Sequence, residues 1–192
     1  MGKRVVVIVG HPAADSWCGA LADSYAAAAR AGGHEVRMLQ LAQLNFDPSL
    51  HAGYRQIQAL EPDLLAAQAT LAWAEHLVIA YPIWWGSVPA LLKGFLDRIL
   101  LPGFAFKYRP GKAFPEQLLR GRSAQLLVSM DTPPWYFRWV YRMPGIVQLK
   151  KTTLEFCGIA PVKVAAFGPL ISSSPAQRAS WLAKAARLAD GL

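Results

Sequence analysis

EHLVIAYPIWWGSVPALLKGFLDRIL occupies Glu75–Leu100. Its opening, EHLVIAYP, is apolar without alternation, as a strand buried on both faces of a sheet reads, and the run ends at Tyr81. Its close, SVPALLKGFLDRIL, reads as a helix with Ser87 near the cap and Pro89 in the first turn. Between them stand Pro82, Ile83, Trp84, Trp85 and Gly86, a short loop with two adjacent indoles. Strand, loop and helix in that order form the unit of a parallel sheet, because a parallel neighbour is reached only by a crossover.

The same unit recurs on either side. RVVVIVG (Arg4–Gly10) is a β-branched run closed by glycine, and DSWCGALADSYAAAARAGG follows as a helix. Asp15 or Ser16 can cap that helix, and Gly32 and Gly33 stop it. HEVRMLQL reads as a second strand, Asn45–Tyr54 as a loop, and Pro62–Ala74 as a helix. Beyond Leu100, Gly103–Gly121 is loop-rich, SAQLLVSM is a fourth strand, and PPWYFRWVYRMPG is irregular and aromatic. IVQLKKTTLEFCG reads as a helix stopped by Gly158, and APVKVAAFGP as a fifth strand. A terminal helix follows, with Ser174 as cap and Pro175 at its first position. Five strands alternating with helices predict an α/β fold: a doubly wound five-stranded parallel sheet covered on both faces. No linker or internal repeat interrupts it, so residues 1–192 read as one domain.

Composition agrees. The chain has 192 residues, of which 54% are hydrophobic and 17% charged, which suits a packed core and not a disordered chain. The net charge is +8, but the basic residues are scattered and no run of five exists, which argues against nucleic acid as partner. Cys18 and Cys157 lie far apart, with no CxxC and no zinc-like spacing, as in a reduced, cytoplasmic chain. The basic start and its short apolar run lack the pattern of a signal peptide. The longest uncharged window, Leu77–Leu92, is shorter than the roughly 20 residues a spanning helix needs and is broken by Pro82, Gly86 and Pro89, so no transmembrane segment is expected.

In an open α/β sheet ligands bind beyond the carboxyl ends of the strands, where the strand order reverses; for the order 2-1-3-4-5 this is between strands 1 and 3. The unusual residues follow strands 1, 3 and 4. After strand 1, His11, Ser16 and the start of a helix suit an anion, although the same residues also serve as an ordinary cap and loop. After strand 3, Pro82 stiffens the turn and Gly86 admits close backbone approach, so that amides around Ile83–Gly86 could meet a flat heterocycle beside the indoles. The alternative is that Trp84 and Trp85 are core. After strand 4, Asp131, Thr132 and Tyr136 could close over the other edge of the same ligand, while Phe137, Trp139, Val140 and Tyr141 equally suit a dimer surface. Neither GxGxxG nor GxxxxGK[ST] is present. Lys93 and Asp97 read as an i,i+4 helix pair, and Cys157 as core.

HPAADSWCGALADSYAAAARAGGHEV and YPIWWGSVPALLKGFLDRILLPGFAF resemble the flavodoxin-like NAD(P)H:quinone oxidoreductases, the DT-diaphorase type and its bacterial relatives. The ordered block is Tyr81, Pro82, Ile83, Trp85, Pro89, Ala90, Leu92, Lys93, Gly94, Asp97 and Arg98, and the likeness is best over residues 3–132. The resemblance implies a tightly bound flavin, FMN in preference to FAD. It places His11, Ser16, Trp17 and Cys18 at the phosphate end and Pro82, Ile83, Trp84, Trp85 and Gly86 along the isoalloxazine. It puts Asp131 and Thr132 at the pyrimidine edge and Tyr136 over the ring, as the one candidate catalytic side chain. It also implies a homodimer with the flavin at its interface, and ping-pong hydride transfer from NAD(P)H through flavin N5 to a quinone-like acceptor. Lys and Arg near the mouth would attract the phosphates of NAD(P)H. Cys18 stands where asparagine is common, Met130–Pro133 replaces a Thr-Thr-Gly-Gly type turn, and no histidine follows Tyr136 in its loop. The alternatives of this fold are a regulatory flavoprotein subunit of a potassium efflux system and an electron-transfer flavodoxin.

Overall fold

Each long apolar run becomes a strand of one sheet, since a parallel strand covered by helices on both sides has no polar face. The computed structural model describes residues 2–192. In chain order its main elements are β1 (Arg4–Val9), α1 (Trp17–Ala31), β2 (Glu35–Gln40), α2 (Pro62–Trp73), β3 (His76–Pro82), α3 (Ala90–Ile99), β4 (Phe106–Lys107), β5 (Glu116–Gln117), β6 (Ser123–Ser129), α4 (Pro134–Trp139), α5 (Pro144–Val147), β7 (Val162–Phe167) and α6 (Pro175–Arg187). The large sheet runs β2-β1-β3-β6-β7, all parallel, which is the expected 2-1-3-4-5 order of the five long strands. The fold is flavodoxin-like, with helices on both faces.

Alternate strand residues feed two cores. Val6, Ile8, Leu77 and Ile79 pack on α2 and α3. Val5, Val7, Val9 and Val78 pack on the alanine-rich face of α1 and on α6. β3 is buried at every position, as the central strand of such a sheet must be. The caps follow the sequence. Ser16, not Asp15, caps α1 by accepting from the Gly19 amide, and Ser174 caps α6 in a reciprocal capping box with Gln177.

Four expectations are corrected. α3 begins at Ala90, with Pro89 as its cap residue, so Ser87 does not cap it. Proline disfavours helical geometry in the residue before it, and the chain stays extended until Pro89 has passed. The stretch expected to be irregular, Pro133–Gly145, contains the short helices α4 and the start of α5, each with a proline in its first turn. The next helix is not a regular α-helix: α5 widens into a π-helical segment, Gln148–Glu155. There the hydroxyls of Thr152 and Thr153 both donate to the Gln148 carbonyl, at 2.8 and 3.2 Å. Finally, Gly103–Gly121 holds a small antiparallel ribbon, Phe106–Lys107 against Glu116–Gln117.

Candidate functional site

The carboxyl ends of β1, β3 and β6 deliver three loops to one place. A cavity of about 320 Å³ opens there, between the β1 and β3 ends where the strand order reverses. His11, Ser16, Trp17 and Cys18 line it from the first loop, Pro82, Ile83 and Trp84 from the second, and Asp131 from the third. The first two loops touch directly: the rings of His11 and Trp84 meet edge to face at 5.3 Å. Trp85, Gly86, Thr132 and Tyr136 do not line this cavity.

The start of α1 supplies the donors. Helix geometry leaves its first amides without helical acceptors. Ser16 Oγ takes the Gly19 amide and its carbonyl takes that of Ala20, so the amides of Trp17 and Cys18 remain available. The first turn carries no acidic residue, which leaves the positive end of the helix dipole uncompensated within the helix. The indole Nε1 of Trp17 is buried with no hydrogen-bond partner. A buried donor of that kind costs free energy until something accepts from it. Amides at a helix start, a hydroxyl and an imidazole form a donor set that suits an anion such as a flavin phosphate, with the Asp15 carboxylate also in the lining.

His11 is held in place by its own loop, its Nδ1 accepting from the Ala13 amide at 2.9 Å. Cys18 is buried at the cavity floor, where Sγ lies 3.2 Å from Ser129 Oγ. Burial pushes its thiol up to about 11, against the opposing hydrogen bond from Ser129. The helix-start position therefore does not activate this cysteine. Asp131 Oδ1 accepts the Ile171 amide at 2.8 Å and so ties the loop after β6 to the one after β7.

The indole loop differs from its expected form. The amide of Ile83 donates to the Ser129 carbonyl at 2.8 Å, and Trp84 and Ser87 exchange backbone hydrogen bonds at 3.0 and 2.9 Å. Trp84–Ser87 is thus a tight hairpin turn. Both central residues have positive φ, 50° at Trp85 and 77° at Gly86, as a type I′ turn requires. Of the amides expected to meet a heterocycle, those of Ile83 and Trp84 are already engaged, and those of Trp85 and Gly86 are not. The indoles are not core either: Trp84 is 44% exposed and Trp85 is fully exposed.

The Lys93–Asp97 pair forms as expected, at 2.7 Å on the surface of α3. Arg98 is buried and structural: it binds the carbonyls of Asp47 and Ala59 and the Glu61 carboxylate, pinning the loop between β2 and α2. Among the described residues no Lys or Arg lines the cavity. The lining itself is therefore not cationic. Ser129, Met130 and Leu170 were not anticipated as lining residues. Ser129 was detectable as the polar end of an apolar strand, whereas Leu170 follows the fifth strand, whose loop has no distinctive chemistry.

A family model described as the flavodoxin-like fold matches residues 3–190. The ribosyldihydronicotinamide dehydrogenase (quinone) of Pongo abelii is 29% identical over 94% of this chain and 89% of its own. A Haemophilus influenzae protein named as an uncharacterized NAD(P)H oxidoreductase is 26% identical over 86% of this chain and 83% of its own. A solved Streptococcus mutans structure superposes with a TM-score of 0.82 at 28% identity, covering 98% of this chain and 99% of the other. The NAD(P)H:quinone oxidoreductase of Methanothermobacter marburgensis shares the fold, with a TM-score of 0.81 at 20% identity over 98% of each chain. The family match begins before β1 and ends beyond α6, so every strand of the large sheet falls inside it, and the chain belongs to the flavodoxin-like fold family.

Proposed function

We propose that this chain is a flavin-dependent NAD(P)H oxidoreductase that reduces a quinone or similar small acceptor, with FMN as its flavin. The carrying observation is the cavity at the reversal of strand order, where the helix-start donors and the indole loop meet. The relatives' names, quinone dehydrogenase and NAD(P)H oxidoreductase, support the same reading. They give no support to the potassium-efflux or electron-shuttle alternatives.

Bound flavin supplies the hydride-accepting chemistry. The residues of the chain then have distinct tasks. The Trp17 and Cys18 amides and the Ser16 hydroxyl hold the phosphate. Pro82 and Ile83 set a rigid wall, and the Trp85 and Gly86 amides, unpaired in the turn at the cavity's edge, are the ones left to meet the ring. Asp131 meets the pyrimidine edge, with Thr132 and Tyr136 in the outer wall. NAD(P)H and acceptor use the same open face in turn, which makes the kinetics ping-pong. The exposed indoles of Trp84 and Trp85 and the exposed ring of Tyr141 favour a homodimer that covers this face. A cytoplasmic location accords with two free, buried cysteines. No helix among the described residues is long and apolar enough to cross a membrane.

The test is the visible spectrum of the purified protein, followed by chromatography of the cofactor released on heating. Flavin absorbance, FMN in the supernatant and parallel double-reciprocal plots with NAD(P)H and a quinone are expected. A colourless protein that takes up neither FMN nor FAD would overturn the proposal.

A further inference from the structure

The cations missing from the cavity lie elsewhere. β7 ends the sheet, so only one of its edges is paired. On that edge the Pro161 carbonyl accepts from Ala124 and the Phe167 carbonyl from Met130. Backbone groups of a strand alternate in direction, so those of Val162, Val164 and Ala166 point to the free edge. A cleft of about 1150 Å³ runs along it. One wall comes from α4, with Trp135 and Trp139, from α5 and from the π-helical segment, the other from Lys184 of α6 and from Leu188, and the strand's own Val162, Val164 and Ala166 form part of the lining. The unpaired edge therefore lies in a trough between the two helical layers.

Arg138, Lys150, Lys151, Lys163 and Lys184 line this trough, and among the described residues no carboxylate does. Lys150 reaches Glu155 only at 3.9 Å, and Lys184 lies 5.4 Å above the Phe167 ring. Residue alternation puts Lys163 on the α6 side and Val162, Val164 and Ala166 on the other, so both sides carry positive charge.

The geometry points to a docking site for an extended acidic segment of a partner protein, which adds to β7 as a sixth strand. Three features select that occupant. The free edge presents donors and acceptors at the repeat of a polypeptide backbone, which nucleic acid and lipid lack. The cations flank the strand on both sides, where the alternating side chains of an added strand would place carboxylates. A second copy pairing through β7 would bring Lys163 and its cationic neighbours against themselves, the usual guard of an edge strand. The guard repels a basic strand, gives a neutral one no charge attraction and favours an acidic one.

The probe is a fluorescein-labelled alternating Glu-Val peptide of about eight residues, a usual strand length. Anisotropy is expected to show binding that weakens as salt is raised, with slowed amide exchange at Val162, Val164 and Ala166. The double substitution Lys150→Glu/Lys151→Glu, made on the exposed wall, should weaken binding about tenfold or more at an unchanged melting temperature. Val164→Pro removes one outward N–H and should do the same; if it does not fold, the double variant and the peptide controls still decide. An alternating Lys-Val peptide should not bind. The proposal is overturned if the Glu-Val peptide fails to bind, or if a version N-methylated at its pairing amides binds equally well. It is also overturned if inorganic polyphosphate, oligouridylate RNA or phosphatidylserine vesicles bind the trough where the peptide does not.

Discussion

The amide of Gly145 donates to the carbonyl of Gly86 at 2.8 Å, joining the start of α5 to the turn that carries the indoles. The approach is close enough that a Cβ on Gly145 would sit 2.6 Å from the Gly86 carbonyl oxygen and 2.7 Å from the Ser87 Cα. The aromatic segment after β6 therefore braces the loop after β3. Gly145→Ala should push the two apart, lower stability by about 2 kcal/mol and shift the tryptophan emission. Urea unfolding and fluorescence check this; an unchanged midpoint would show that the contact yields freely.

Trp85 holds positive φ with its side chain fully in solvent. Within one protomer the indole gains nothing there from burial, and a bulky residue in this region carries strain of order 1 kcal/mol. Asn-Gly is the favoured pair for such a turn. In the separated protomer, at a concentration below dimer formation, Trp85→Asn should raise stability by about 1 kcal/mol, a rise of a few degrees in melting temperature. If the indole serves the flavin, the same variant should retain the cofactor less well. Differential scanning calorimetry and cofactor content of the purified variant separate the two effects.

His76 is buried at the far end of β3, with Ser123 Oγ at 2.7 Å and Tyr25 OH at 3.3 Å. Burial, with Lys3, Lys163 and His34 nearby, lowers it from 6.5 to about 4. The unfolded chain therefore binds this proton more readily than the folded one. The contribution is complete above pH 6.5 and is lost as the pH falls toward 4, up to about 3 kcal/mol in all. Urea midpoints across that window should fall with pH. His76→Gln should flatten this part of the slope; an unchanged slope would assign it to other groups.

Cys18 and Cys157 are both buried, and burial pushes each thiol up to about 11. Little thiolate forms at mildly alkaline pH, so native protein should react with iodoacetamide far more slowly than protein in urea. Mass spectrometry of the two forms checks this. Fast labelling of native Cys18 would mean that the cavity floor opens.

The strands, their parallel order and the three site loops were legible because each rests on local rules. Buried strands read as unbroken apolar runs, and the ligand position follows from where the order reverses. The helix after Ile146 was legible as a helix but not as a π-helical one. That widening depends on threonine hydroxyls returning to the Gln148 carbonyl. The start of α3 was misplaced because Ser87 has the chemistry of a cap but is used by the Trp84 turn.

Sequence alone determined the fold, the loops that meet at the candidate site and the family pattern, since these depend on periodicity, on breakers and on residues near one another in the chain. Tertiary structure decided how each group is used. It engaged the amides of Ile83 and Trp84, closed the Cys18 thiol against Ser129, and left the Trp17 indole N–H without a partner. It also gathered five scattered cations along the free edge of β7 and none in the lining of the cavity. Those outcomes rest on contacts between residues far apart in sequence, whose hydrogen bonds and charges become neighbours only when the two helical layers close on the sheet.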